Sequence, residues 1–240
     1  MRTFTFKGLF LTAVFMLLGC LSIQAANTKQ ITIKLDEAGT LPDRIGSSRK
    51  YKITNLKLVG EINGTDLRMI REMAGRDYRG DVTGGNLSVL DLSEAKIVTG
   101  GDYYYQYEKY YSDDDYSIYE SYTYNDEIGE YAFHDCSGLT SLTLPAGITS
   151  IGSHAFSYCS GLTSLTLPAG ITSIGDYAFY GCRGLTSLTL PAGITSIGSG
   201  AFWCCSGLTS LTLPAGITSI SDNAFYGCSG LTSLTLPAGI

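Results

Sequence analysis

The chain has 240 residues, only 16% of them charged, and a net charge of −6, a balance that argues against nucleic acid as a partner. Catalysis has little to work with. The two histidines, His134 and His154, have no nucleophile partnered to them in sequence, and no G-x-S-x-G elbow or phosphate-binding loop occurs.

Residues 1–26 read as a secretory signal, with Arg2 and Lys7 as the basic start and Gly8 to Leu18 as an apolar core too short to span a bilayer. Two exits fit. Ile23-Gln24-Ala25 resembles a small-residue cleavage site and is preferred; Leu17-Leu18-Gly19-Cys20 resembles a lipoprotein box, which would lipidate Cys20 and hold the chain at a membrane. Either exit implies an exported chain.

Residues 27–99 carry twelve of the sixteen basic residues against ten acidic ones. Ile31, Ile33 and Leu35 alternate as a strand. Ile53-x-x-Leu56-x-Leu58 and Leu87-x-x-Leu90-x-Leu92 share one spacing, 34 residues apart. Between them a helix is expected from Thr65-Asp66, with Leu67, Ile70, Met73 and Ala74 on one face and Gly75 at its end. Asn63-Gly64-Thr65 matches a glycosylation sequon but reads as that helix's start. The segment is expected to be an irregular cap.

Residues 100–127 break the pattern. Positions 102–127 hold ten of the seventeen tyrosines, eight acidic residues and the single base Lys109, a local charge of −7. Without hydrophobic periodicity, and with like charges repelling, the expectation is a mobile loop inserted into the fold. The sharper reading is a contact surface, because Tyr gives large area at low entropic cost. Asp113-Asp114-Asp115 lacks the spaced pattern of a calcium loop.

From Ile128 to the end, a 23-residue unit, I-G-x-x-A-F-x-x-C-x-G-L-T-S-L-T-L-P-A-G-I-T-S, runs five times, the last copy truncated. Fixed-period self-similarity of this kind signals a solenoid. In the unit from Ile151 to Ser173, Leu165 and Leu167 alternate with Ser164 and Thr166 as a half-buried strand, which Pro168 closes and Ala169-Gly170 turns. Ala155, Phe156 and Cys159 then fit one face of a short helical turn, capped by Ser153 (Asp176, Ser199 and Asp222 elsewhere) and ended by a left-handed Gly161. One coil cannot fold alone; stacking shares the buried faces and pairs each strand with the next.

The Leu162-x-x-Leu165-x-Leu167 spacing is that of leucine-rich repeats. Ile174-Gly175, Ala178-Phe179, Cys182 and Leu190-Pro191 make residues 128–240 resemble the BspA-like subclass, found on bacterial surface-exposed and secreted proteins. The resemblance implies an α/β repeat solenoid, with a parallel sheet on one side and short helical turns on the other. It also implies a non-enzymatic recognition or adhesion role at the cell surface or outside the cell, without naming a ligand. Unlike the general pattern, Gly147, Gly170, Gly193, Gly216 and Gly239 stand where Asn commonly follows the strand, so no Asn ladder is expected.

Cys136, Cys159, Cys182, Cys205 and Cys228 recur at one inward position, where parallel side chains do not converge as disulfides need, so a free buried ladder is expected. Cys204, beside Trp203, is the likelier reactive thiol, and the Cys204-Cys205 pair is poor spacing for zinc. No cofactor is implied. The strand face presents the same Ser and Thr in every coil, which fits only a repeating or non-specific partner; the variation lies around the turn. The candidate binding surface is therefore Tyr103, Tyr104, Tyr105, Tyr107, Tyr110 and Tyr111 of the insertion with His154, Tyr177, Tyr180, Trp203 and Tyr226 of the repeats. The partner class is an extracellular protein or glycan. The alternatives are a structural or ice-like surface built from the Ser/Thr array and a hydrolase within residues 27–99. Finally, Ile240 corresponds to Ile217, so the sequence stops inside a coil. The expectation is a fragment of a longer repeat protein, or self-association through an open C-terminal edge.

Overall fold

The computed structural model describes residues 29–112 and 115–240. The expected secretory signal and Cys20 lie outside the described residues. Eight parallel strands form the main sheet: β1 (Ile31–Lys34), β2 (Asn55–Ile62), β3 (Val89–Ile97), β7 (Ser141–Thr143), β9 (Ser164–Thr166), β11 (Ser187–Thr189), β13 (Ser210–Thr212) and β14 (Ser233–Thr235), in that order. Ile31 pairs with Leu56, Leu56 with Leu90, Leu90 with Leu142 and Leu142 with Leu165. The two irregular leucine units of the amino-terminal segment are thus the first coils of one solenoid. A second parallel sheet joins β6 (Glu127–Ile128), β8 (Ser150–Ile151), β10 (Ser173–Ile174) and β12 (Ser196–Ile197), placing Ile128, Ile151, Ile174 and Ile197 inward.

The third side of each coil differs from the expected helical turn. Ala155, Ser157, Cys159 and Leu162 donate their amides three residues back, to Gly152, His154, Phe156 and Cys159. The alternate amides cross between coils instead: His154 donates to Asp176 O (2.9 Å), Phe156 to Ala178 O (2.8 Å) and Tyr158 to Tyr180 O (2.6 Å). A helix would keep these donors within one coil and leave the stack unstitched on this side. The crossing is allowed because two positions per coil take left-handed dihedrals, as at His154 (φ 54°) and Tyr158 (φ 60°). Gly161 is not one of them. A Cβ there would meet Ser137 O at 2.2 Å, so this glycine is required by close approach of the neighbouring coil. The expected caps also bond across coils: the Ser199 amide donates to Asp176 Oδ1 (2.7 Å).

Three side-chain rows tie the coils together. Phe133, Phe156, Phe179 and Phe202 are fully buried and stack with Phe225 at centroid distances of 5.3–5.6 Å. Among the described residues the cysteines are free, and four of the thiols do more than fill space: Cys159, Cys182, Cys205 and Cys228 donate to the Phe carbonyl of the preceding coil at 3.0 Å. Burial raises these thiols above the ordinary range, Cys182 to about 12. In place of an Asn ladder, Thr140, Thr163, Thr186, Thr209 and Thr232 donate their hydroxyls to the carbonyl one coil earlier, starting at Ser88 O.

Before the repeats, α1 (Leu41–Ile45) and α2 (Gly64–Met73) flank β2. The helix starts at the Asn63-Gly64-Thr65 stretch expected from the sequence; Asn63 is the N-cap of α2 and Asp66 completes a capping box. The buried Asp66 carboxylate also receives the Gly39 and Leu41 amides, fixing the α1 approach.

The Tyr/Asp segment is not the expected loop. Gly100–Ser112 (β4) and Asp115–Thr123 (β5) pair as an antiparallel hairpin, with Tyr105 opposite Ser121, Tyr107 opposite Tyr119 and Tyr110 opposite Tyr116. Its base packs on α2, where the Asp102 amide donates to Thr65 Oγ1 (3.0 Å). Tyr104 is fully buried and Tyr105 nearly so. Buried tyrosines supply the stabilisation that the charge pattern alone did not promise.

Candidate functional site

The side chains at the left-handed positions form the molecule's most distinctive surface. One such row is Tyr131, His154, Tyr177, Gly200 and Asn223; the other is Asp135, Tyr158, Gly181, Cys204 and Gly227. The Tyr131 ring stacks on His154 at 4.9 Å with planes 2° apart, and His154 stacks on Tyr177 at 5.1 Å and 12°. Tyr177 then leans over Gly200, where a Cβ would lie 2.5 Å from its ring. Tyr158 leans over Gly181 in the same way. Glycine in one coil makes room for the aromatic of the coil before it.

A parallel file one turn away carries His134, Tyr180, Trp203 and Tyr226. Tyr158 meets Tyr180 edge-on at 4.7 Å, Tyr180 meets Trp203 at 6.1 Å, and Trp203 meets Tyr226 at 4.9 Å. The hairpin extends the strip at the other end: Tyr105 stacks on Tyr131 (4.8 Å), Tyr107 approaches it at 5.1 Å, and Tyr119 stacks on Tyr107 (5.2 Å). Aromatic rings therefore run from the hairpin across successive coils to Tyr226.

The sequence candidates divide accordingly. Tyr107, His154, Tyr177, Tyr180 and Trp203 are half-buried members of the strip, and Tyr226 is its exposed end. Tyr110 and Tyr111 are exposed on the outer hairpin. Tyr103 is half-buried between Tyr78 and Tyr122. Tyr104 and Tyr105 are corrections: both are core residues rather than contact surface, because the hairpin base is pressed onto the cap. Tyr119, Tyr131 and Tyr158 were missed. Tyr131 and Tyr177 stand 23 residues either side of His154, a periodic signal; no pattern pointed to Tyr119.

Electrostatics keep the strip neutral. Burial, then Arg71, His154 and Arg76, push His134 down to about 4. Burial also lowers His154, against the opposing charge of Asp176. His154 Nδ1 lies 3.1 Å from Ser157 Oγ; the Ser157 hydroxyl itself donates to Tyr177 O (2.7 Å), so it accepts from Nδ1–H. Among the described residues no three His, Cys, Asp or Glu side chains gather as a metal site. No described helix is long and apolar enough to cross a membrane.

This architecture, stacked parallel strands with one leucine row and turns on the far side, is that of a leucine-rich repeat solenoid. Residues 126–240 match the family model of the BspA type leucine rich repeat region, in six copies, and the repeat region belongs to that family. Among solved structures the chain is similar to a leucine-rich repeat protein of T. pallidum (32% identity, TM-score 0.40, covering 47% of this chain and 64% of that one). It is also similar to a leucine-rich repeat protein of Bacteroides ovatus (28%, TM-score 0.45, covering 57% and 41%). A third is a leucine rich cell surface protein of Faecalibacterium prausnitzii (29%, TM-score 0.45, covering 60% and 44%). The chain thus spans less than two thirds of each of these proteins. No curated protein matches it.

Proposed function

We propose that the chain is an exported, surface-located binding protein without enzymatic activity, and that its aromatic strip engages a protein partner. The observation that carries this is the strip itself: large rings, half-exposed, held in a fixed row by the coil spacing. Rigid Tyr and Trp anchors are the side chains that dominate protein recognition. In the repeats the strand face offers only repeated Ser and Thr. A protein is favoured over a glycan because Tyr131, His154 and Tyr177 lie face to face and cover one another. Their edges, rather than the open ring faces a sugar stacks on, meet solvent.

The test is a binding screen of the exported protein against purified matrix proteins and glycans. A protein ligand is expected, lost with Tyr177→Ala/Trp203→Ala and kept with Ser187→Ala/Thr189→Ala on the strand face. A ligand lost only with the strand-face pair would favour the repetitive-surface reading instead.

A further inference from the structure

The hairpin has two faces, and only one belongs to the strip. Cross-strand pairing puts Gln106 opposite Glu120, Glu108 opposite Ile118 and Tyr110 opposite Tyr116 on the other face. That face is open: Tyr110 is 64% exposed, Tyr116 52% and Ile118 51%. It is also ordered by its own chemistry. The Tyr110 hydroxyl donates to Glu108, the Tyr122 hydroxyl to Glu120 (2.6 Å), and the Tyr110 and Tyr116 rings lie 5.6 Å apart. Where β5 meets the first repeat, Tyr122, Tyr124, Glu120, Glu127 and Glu130 line a cleft of about 340 Å³.

The molecule itself shows what such a surface takes. Where hairpin and cap tyrosines meet, cations cover them: the Arg68 guanidinium sits 5.1 Å from the ring centroid of hairpin Tyr103 and 3.8 Å from that of cap Tyr78, and Arg71 sits 4.7 Å from hairpin Tyr105. A planar guanidinium gains from both a ring face and a carboxylate, and the outer face presents the two side by side. The charge agrees. Positions 102–127 carry −7 while the whole chain carries only −6, so the attraction is concentrated on this arm.

We propose that the outer face of the hairpin, with the cleft at its base, docks an arginine-rich segment of a protein partner. It is a surface separate from the aromatic strip and does not depend on the strip's role. The probe is a labelled nona-arginine peptide, titrated by fluorescence anisotropy against the full chain at about 150 mM salt, with nona-lysine as the equal-charge comparison. Arginine should bind several-fold tighter than lysine. Glu108→Gln/Glu120→Gln and Tyr110→Ala/Tyr116→Ala should each weaken it about five-fold or more. Tyr110→Phe/Tyr116→Phe, which keeps the rings, should bind within about two-fold of wild type. So should Glu37→Gln/Asp222→Asn, which removes equal charge elsewhere. The glutamine variant keeps the proposal testable if the alanine pair unfolds the hairpin. Equal affinity for the two peptides, or equal loss with the control pair, would reduce the surface to diffuse charge and overturn the proposal. Sedimentation showing a dimer that Glu108→Gln/Glu120→Gln dissolves would assign the face to a second copy's basic cap, and would overturn it too.

Discussion

His134 shows how much one residue's setting matters. Its ring is packed among Tyr105, Tyr131 and Tyr158 at 5.4–5.8 Å, its Nδ1 has no partner, and Arg71 and Arg76 already bring positive charge to the site. The folded state therefore holds it neutral, with a pKa of about 4 against an ordinary value of 6.5. The sign follows: above 6.5 neither state is protonated, and below it the unfolded chain takes up a proton that the folded chain refuses. Stability should fall as pH drops from 6.5 toward 4, by about 2 kcal/mol at pH 5. Urea denaturation at pH 7 and pH 5 should show that loss in wild type and a smaller one in His134→Phe. Parallel pH slopes would mean that the ring is solvated.

At the scale of the element, a coil is held by what its neighbours supply. The Phe row makes this measurable, because the same residue occupies a buried central position and a half-buried terminal one. Phe179 is fully enclosed between Phe156 and Phe202, and Phe179→Ala should cost roughly 3–5 kcal/mol. Phe225 has a stacking partner on one side only, Phe202, and is partly exposed, so Phe225→Ala should cost clearly less. Equal denaturation midpoints for the two variants would show that the spine is not a cooperative row. The Thr and Cys ladders follow the same rule: each hydroxyl or thiol bonds a carbonyl of the coil before it, so no single coil satisfies its own polar groups.

For the whole molecule, the question is how the first repeat manages without a repeat before it. In later coils the carbonyls of Ser153 and Ala155 accept amides from the preceding turn, those of Tyr131 and Phe133. Their counterparts in the first coil are Glu130 O and Ala132 O, and the cap answers both with side chains. The buried Tyr104 hydroxyl donates to Glu130 O (2.7 Å), and the buried Arg71 guanidinium donates to Ala132 O (3.2 Å) and Tyr131 O (2.8 Å). The hairpin is thereby part of the cap. Tyr104→Phe should cost about 1 kcal/mol and Arg71→Met about 2–3 kcal/mol, since the latter strands carbonyls that a charged donor served. Because a solenoid couples mainly nearest neighbours, hydrogen exchange should speed up over residues 128–136 and stay unchanged near Phe202. A uniform increase along the chain would contradict this terminal role.

The sequence by itself determined the repeat unit, the strand with its inward leucines, the buried Phe and Cys rows and the helix that starts near Thr65. All of these rest on spacing within one coil or one helix, and local spacing is what a period reports. Tertiary structure alone decided the turn side, the hairpin and the ends of the ladders. Ala155, Phe156 and Cys159 fit a helical face and a run of turns equally well, and the choice went to turns because their free amides reach carbonyls 22 residues away. The consecutive tyrosines Tyr103, Tyr104 and Tyr105 show no strand alternation, since Tyr104 is buried against the first repeat and Tyr105 against Arg71 and Tyr131. Tyr104 and Arg71 have nothing in their own neighbourhoods to mark them as caps. Their partners are two carbonyls that the turn of a preceding regular repeat would have filled, and only the assembled stack brings them within reach.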